Sequence, residues 1–415
     1  MVRRVADEGA YSNRLLPVLL ARSGLAGRDR DLAVELSYGT LRRMLPLDHA
    51  LGPLVARPLR RATPEARAVL RLGAYQLLFT RIPPHAAVGE TVELAEDRDR
   101  GFVNAVLRRL SETEVRWPEG EGDDAVAVRT GLSRWAVREL RVLLPPEEVE
   151  PAAAALAQPA PLTLRRNPCR ALEGEPERSL RAAGQEPQPG RIHLGSLRVQ
   201  GGQPARLPGF AEGWFAVQDE ASSWVVDVLD PRPGDLVLDA CAAPGGKAAD
   251  IACRSSRVVA ADLSEPRLRL VAEAASRLGV TARLVAQDAA RPALRAGFAR
   301  ILVDAPCSGI GAARRRPELL WRPERAHLSS LARLQVRLAV GAASLLRPGG
   351  VLVYSVCTFP RAETDAACRA LEAKVPGLHP YPFPAPDGDT EARSRLWPHR
   401  HGTDAMFVAR LVAGR

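Results

Sequence analysis

Lysine is nearly missing from this chain. Of the 58 basic residues in 415, only Lys247 and Lys374 are lysines, and the rest are arginines. Against so general an arginine bias, a retained lysine stands out. Runs of 18 or more apolar residues are also missing, which argues against a membrane-spanning helix. The N-terminal "MVRRVADEGAYSNRLL" has no apolar stretch of the kind a signal peptide needs. The expected setting is soluble and cytoplasmic, with no membrane partner. The six cysteines (Cys169, Cys241, Cys253, Cys307, Cys357 and Cys368) form no CxxC pair. That spacing argues against a zinc site or any other metal, and against a disulfide framework. Reduced thiols are then available for chemistry. There is no internal repeat.

What the chain does have is length and apolar content. At 415 residues and 46% hydrophobic it can bury two or three cores. The net charge of +10 is unevenly placed: +1 over residues 1–125, +3 over 126–212 and +6 over 213–415. A basic excess of this kind suits a polyanionic partner such as RNA.

Residues 1–125 read as an all-α domain. "NRLLPVLLARSG", "DRDLAVELSYGTLRRM", "TPEARAVLRLGAYQLLF" and "AAVGETVELAED" place apolar residues three and four apart. Asp29 and Thr63 read as N-caps, and Pro64 suits a first helical position. The acidic stretch "SETEVRWPEGEGDD" reads as a linker. Residues 126–212 mix short helices with strand candidates "LTLRRNP", "RIHLG" and "LRVQG", a small α+β intermediate domain. From 213 to 415 strands and helices alternate: "DLVLDACA", "SRVVAADL", helix 265–278, "ARLVAQDA", "ARILVDAP", helix 324–346 and "GGVLVYSVC". Such alternation implies an α/β domain with a mostly parallel sheet covered on both faces.

In sheets of this type ligands bind beyond the carboxyl ends of the strands. Those ends carry Asp239, Asp262, Asp288, Asp304 and Cys357. One aspartate there is ordinarily a turn residue; five polar residues at five strand ends point to a site. The loop "CAAPGGK", Cys241 to Lys247, joins a strand to a helix and lets backbone approach a ligand closely. Asp262 follows Asp239 by 23 residues, which suits a carboxylate taking ribose hydroxyls. The loop matches neither GxGxxG nor a Walker A pattern. A nucleoside without phosphates, S-adenosylmethionine, fits it better than NAD or ATP.

Several long stretches resemble one known family. "DACAAPGGK", "QDA", "DAPCSGIGAARRRPELLW", "VQDEAS" and "HGTDAMFVARL" look like motifs of RNA cytosine-5 methyltransferases of the RsmB/Sun group. "AYSNRLLPVLL", "ELSYGTLRR", "LRLGAYQLLFTRIPPHAAVGETVELA" and "GFVNAVLRR" resemble that group's NusB-like N-terminal domain. The resemblance implies a multidomain chain: an all-α NusB-like domain, the intermediate domain, and a C-terminal Rossmann-like methyltransferase domain. It also implies roles. Cys241, Ala242, Ala243, Pro244, Gly245, Gly246 and Lys247 would contact S-adenosylmethionine. Asp262 would hold its ribose with Arg267 nearby, Asp288 would sit beside the adenine, and Asp304 would lie between cofactor and base. Cys357 would be the nucleophile and Cys307 the thiol that helps product release. The implied substrate is 16S rRNA; tRNA, or a non-catalytic assembly factor, are the alternatives.

Two thiols suit that chemistry. Cytosine C5 becomes nucleophilic when a thiolate adds to C6, and the adduct must later be undone. Asp304 is the candidate to assist at N3. DNA cytosine-5 enzymes use a Pro-Cys nucleophile, which Pro306-Cys307 would match; the resemblance instead assigns attack to Cys357. The chain departs from the usual Thr-Cys-Ser motif at Val356-Cys357-Thr358, losing a hydroxyl at 356. Ala248 and "DAMF" replace the usual threonine and "DGFF". Cys253 and Cys368 read as buried, inert positions. Arg314, Arg315 and Arg316 are candidates for RNA phosphates, and Trp321 reads as core. A target base must leave its stack to reach a thiol.

Overall fold

The computed structural model describes residues 1–322 and 325–414. The chain divides into two compact units, 1–159 with 312–323, and 160–311 with 324–415. The expected intermediate domain is therefore not a unit of its own. Its helices to residue 159 join the helical unit, and its strands join the α/β unit.

The helical unit holds α1 (Val2–Ala6), α2 (Ser12–Ser23), α3 (Gly27–Arg42), α4 (Met44–Leu51), α5 (Pro64–Phe79), α6 (Pro84–Glu93), α7 (Asp97–Glu112), α8 (Asp123–Thr130), α9 (Arg134–Leu143) and α10 (Pro146–Leu156). Thr63 caps α5, its hydroxyl accepting from Ala66 N at 3.1 Å, with Pro64 at the first helical position. Asp29 is not a cap. Helix α3 starts two residues earlier after Ala26, and Asp29 lies in its first turn, where the helix dipole still favours an acid. Gly39 lets α3 and α5 touch: a Cβ there would fall 2.1 Å from the Tyr75 ring. Leu47, Leu51, Leu70, Val103 and Leu107 form the core.

A loop of the other half of the sequence completes this unit. Glu318 is fully buried, and its two carboxylate oxygens accept from Ser12 N at 3.2 Å and Ser12 Oγ at 2.5 Å. Trp321 donates from Nε1 to Leu41 O at 2.8 Å, in agreement with its reading as core.

The α/β unit begins with a four-stranded antiparallel sheet ordered β2-β3-β1-β4, with β1 (Leu162–Arg166), β2 (Gln188–Pro189), β3 (Ser196–Val199) and β4 (Phe215–Val217). Helix α11 (Glu175–Ala182) packs Leu180 into its core. "RIHLG" is not a strand. The N–H groups of Arg191 and Ile192 donate to the buried Glu220 carboxylate at 2.6 and 2.9 Å, so no ladder partner is needed.

Helix α12 (Glu220–Leu229) leads into the main sheet: β5 (Leu236–Asp239), α13 (Gly246–Arg254), β6 (Arg257–Asp262), α14 (Glu265–Leu278), β7 (Arg283–Ala286), β8 (Phe298–Asp304), α15 (Arg325–Ala343), β9 (Leu346–Val356), α16 (Asp365–Lys374) and β10 (Leu378–Pro380). The helix expected over 324–346 is α15; Glu324 lies outside the described residues. A ribbon of β11 (Phe383–Pro384) and β12 (Thr390–Glu391), then β13 (Arg393–Leu396), α17 (Pro398–His401) and β14 (Met406–Ala413) finish the chain. The order is β10-β14-β9-β8-β5-β6-β7, with β13 also on β14. From β9 to β7 the strands are parallel; β14 joins antiparallel. Helices α15 and α16 pack one face, α12 and α13 the other. Order reverses between β5 and β8, which opens a crevice at their carboxyl ends.

One expectation about cysteine is overturned. Cys169 and Cys253 form a disulfide with Cα atoms 6.0 Å apart. Cys253 is thus neither a reduced thiol nor an inert apolar position. The pairing links a loop after β1 to the end of α13, 84 residues away, a proximity no CxxC search detects.

Candidate active site

Four strands deliver their terminal residues to the crevice: Asp239 from β5, Asp262 from β6, Asp304 from β8 and Cys357 just past β9. The turn after β8 carries Cys307. The two sulfurs stand 3.5 Å apart, both half-buried. The parallel pairing of β8 and β9, with Asp304 level with Ser355, brings the two turns together.

Lys247 is the second feature. Its Nζ donates to Asp304 Oδ2 at 2.7 Å, and Ser355 Oγ donates to Asp304 Oδ1 at 2.8 Å. Burial works against the ammonium, but Asp304, Cys357 and Asp239 outweigh it, and the Lys247 pKa is raised. Lys247 therefore stays charged. The resemblance cast it as a cofactor contact; its pairing with Asp304 was not read from the sequence.

The remaining acids and thiols differ by environment. Asp239 is almost wholly buried, and burial followed by the Asp304 charge raises its pKa to about 7. Burial and the surrounding aspartates push the Cys241 thiol far up, so it is a packing group in the loop. Cys368 is buried and raised to about 12 by desolvation, in keeping with an inert position. For Cys307 the hydrogen bond with Cys357 comes first, then burial, then the charges of Cys357, Glu363 and Asp304. Together they keep Cys307 protonated beside Cys357.

The loop Cys241–Lys247 packs closely on α14. Gly245 has φ +111°, and a Cβ there would meet the backbone of Val271 at 2.9 Å. Asp262 is buried; its oxygens accept from Ala243 N at 3.2 Å and Ser264 N at 3.0 Å, and Arg267 lies 3.5 Å away. Arg267 also donates to Ala243 O at 2.9 Å, so it braces the loop. A carboxylate has further lone pairs to offer a ribose. Asp288 is exposed past β7, accepting from Ala290 N at 2.8 Å. Leu263, next to Asp262, is 75% exposed, an apolar surface at a polar strand end that the sequence did not single out. Gln218 is buried beside Gly246, and its Nε2 has no hydrogen-bond partner among the described residues.

Arg314 is corrected as a phosphate contact. It is buried in the helical unit, where its Nη2 donates to Pro159 O at 3.3 Å. Arg315 and Arg316 are half-buried in the same segment. Val356 is fully buried among apolar residues. Asp219, in "VQDEAS", caps α12 through Ala221 N at 3.0 Å and accepts from Asp404 N at 3.1 Å. That contact joins "VQDEAS" to "HGTDAMFVARL".

Residues 226–412 match the family model described as 16S rRNA methyltransferase RsmB/F, and residues 1–112 match that of the NusB family. The ribosomal RNA small subunit methyltransferase B of Vibrio cholerae is 37% identical, covering 90% of this chain and 87% of its own. That of Pseudomonas syringae pv. tomato is 36% identical over 97% and 93%. The chain belongs to the RsmB/F methyltransferase family. A solved structure, PH0851, shares the fold with a TM-score of 0.81 at 23% identity, covering 95% of this chain and 93% of its own. Members of this family are RNA methyltransferases that use S-adenosylmethionine. The residues here fit that cofactor: the exposed Leu263 for a flat base, the Asp262 carboxylate and the unpartnered Gln218 Nε2.

Proposed function

We propose that this RsmB/F protein methylates C5 of a cytosine in 16S rRNA through a covalent adduct between Cys357 Sγ and C6. The observation that carries the reading is the 3.5 Å pairing of Cys307 and Cys357 at the strand ends where Lys247 and Asp304 are paired at 2.7 Å.

Each group has a task that follows from its surroundings. Cys357 Sγ, as thiolate, forms the bond to C6, and the C5–C6 π pair moves to C5. S-adenosylmethionine, when bound, supplies the electrophilic methyl group. Charge that develops at N3 is met by the Lys247 ammonium, while the Asp304 carboxylate accepts from the exocyclic amine. Lys247 thus takes, as a hydrogen-bond donor to N3 with no net proton transfer, the role first expected of Asp304. Release follows: the C5 proton is removed, C5=C6 re-forms, and the S–C6 pair returns to Cys357. The largest influence raising the Cys307 pKa is its hydrogen bond with Cys357. In the adduct Cys357 is a neutral thioether, so that influence falls away and Cys307 ionises more readily when a base is needed.

The test is transfer of labelled methyl to unmodified 16S rRNA, with the product digested to nucleosides. Label in 5-methylcytidine is the expected result; label in tRNA alone would move the substrate, and no transfer would favour an assembly factor. Cys357→Ser should abolish transfer, and Cys307→Ser should leave protein bound to RNA on a denaturing gel. The reverse pattern would exchange the two roles.

A further inference from the structure

Glu363 is fully buried, and the chemistry above makes no use of it. It lies six residues beyond Cys357, before α16. Its Oε1 accepts from Ser308 N at 2.8 Å and from Gln335 Nε2 at 2.9 Å. Its Oε2 accepts from Ser308 Oγ at 2.6 Å and from Thr358 Oγ1 at 3.3 Å. Ser308 and Thr358 are the residues immediately after the two cysteines, and their hydroxyls lie 2.7 Å apart. Gln335, on α15, also donates to Pro306 O at 3.0 Å, the residue before Cys307. Tyr354 OH donates to Glu363 O at 2.6 Å and to Gln335 Oε1 at 3.0 Å, tying the network to β9.

A buried carboxylate is a costly way to fill space; apolar packing of equal volume commonly serves stability as well or better. What a carboxylate can do, and an apolar side chain cannot, is accept from two separate turns at once. We infer that Glu363 is the positioning residue that fastens the Cys307 and Cys357 turns to each other and so sets the separation of the two thiols. Its charge adds a second effect, since it opposes ionisation of Cys307 and helps hold that thiol protonated before the adduct forms. This assignment rests on the two-thiol reading of the function.

Two measurements on Glu363→Gln test it, one of them independent of activity. Phenylarsine oxide bridges two close thiols, forming two As–S bonds and releasing its oxygen as water with the two thiol protons. Wild type should be captured across Cys307 and Cys357, Cys307→Ser should not, and Glu363→Gln should react at least tenfold more slowly. In methyl transfer, Glu363→Gln should lose at least tenfold in kcat with KM for RNA and S-adenosylmethionine within threefold. Adduct should accumulate on denaturing gels as for Cys307→Ser, and the rising limb of its pH profile should move to lower pH. Wild-type arsenical rates, kcat and pH profile in the variant would overturn the assignment. If wild type itself makes no 5-methylcytidine, the functional reading fails, while the arsenical comparison still decides the positioning. Should Glu363→Gln not fold, Ser308→Ala with Thr358→Val removes two of the donors. Normal capture and normal kcat in that pair would overturn the assignment equally.

Discussion

Asp239 shows how one residue at this site answers to pH. Its carboxyl ends β5 with 1% exposure, and its pKa rises from 3.8 to about 7 because burial and Asp304 disfavour the charge. Between those values the native state keeps a proton that the unfolded chain has lost. The stabilising contribution is complete below the unfolded value and is lost as pH rises through about 7. Asp239→Asn copies the protonated form and can still accept from Cys241 N. It is expected to gain stability relative to wild type on going from pH 5 to pH 8. Calorimetric unfolding at the two pH values checks this, and a difference that stays constant with pH would contradict it. Asp239 itself was legible as a strand-end acid. Its altered protonation was not, because that depends first on burial by the folded sheet and then on Asp304, 65 positions away, ending the neighbouring strand.

At the scale of elements, two N-terminal devices of the helical unit can be ranked. The half-buried Thr63 hydroxyl caps α5 and also donates to Asp99 Oδ2 at 2.9 Å, so Thr63→Ala should cost about 1–2 kcal/mol. Glu318 is a buried, charged acceptor for both Ser12 groups at the start of α2. Its replacement by alanine strands two donors and should cost about 2–3 kcal/mol. Urea unfolding of the two variants compares them directly; a larger loss from Thr63→Ala would reverse the ranking. Thr63-Pro64 was readable because a cap and its helix are adjacent in sequence. Glu318 was not, since its partner lies 306 residues away. The same limit hid Glu363, whose worth lies in joining two turns rather than in any local pattern.

For the whole molecule, the disulfide is the feature with the widest consequence. Closing 84 residues between Cys169 and Cys253 removes conformational freedom from the unfolded chain. In the loop-entropy view this contributes about 4–5 kcal/mol, less any native distortion. Cys169→Ser should unfold at lower temperature than wild type under non-reducing conditions, and the gap should vanish in excess dithiothreitol. Equal midpoints without reductant would mean that the bond is not formed in solution.

The sequence by itself determined the parts of this protein that are written locally. Helical periodicity, the βα alternation, the glycine loop and the acids at strand ends all depend on neighbours within a few residues. So do the long family motifs, which is why fold and methyl donor were accessible before any coordinates. Only the tertiary structure decided which of those groups meet. It paired Lys247 with Asp304, set two sulfurs 3.5 Å apart, withdrew Arg314 into a core, joined Cys169 to Cys253 and divided the middle of the chain between two units. Each of these follows from packing between segments distant in sequence, where contact is set by the closing of a sheet and its helices and not by spacing along the chain.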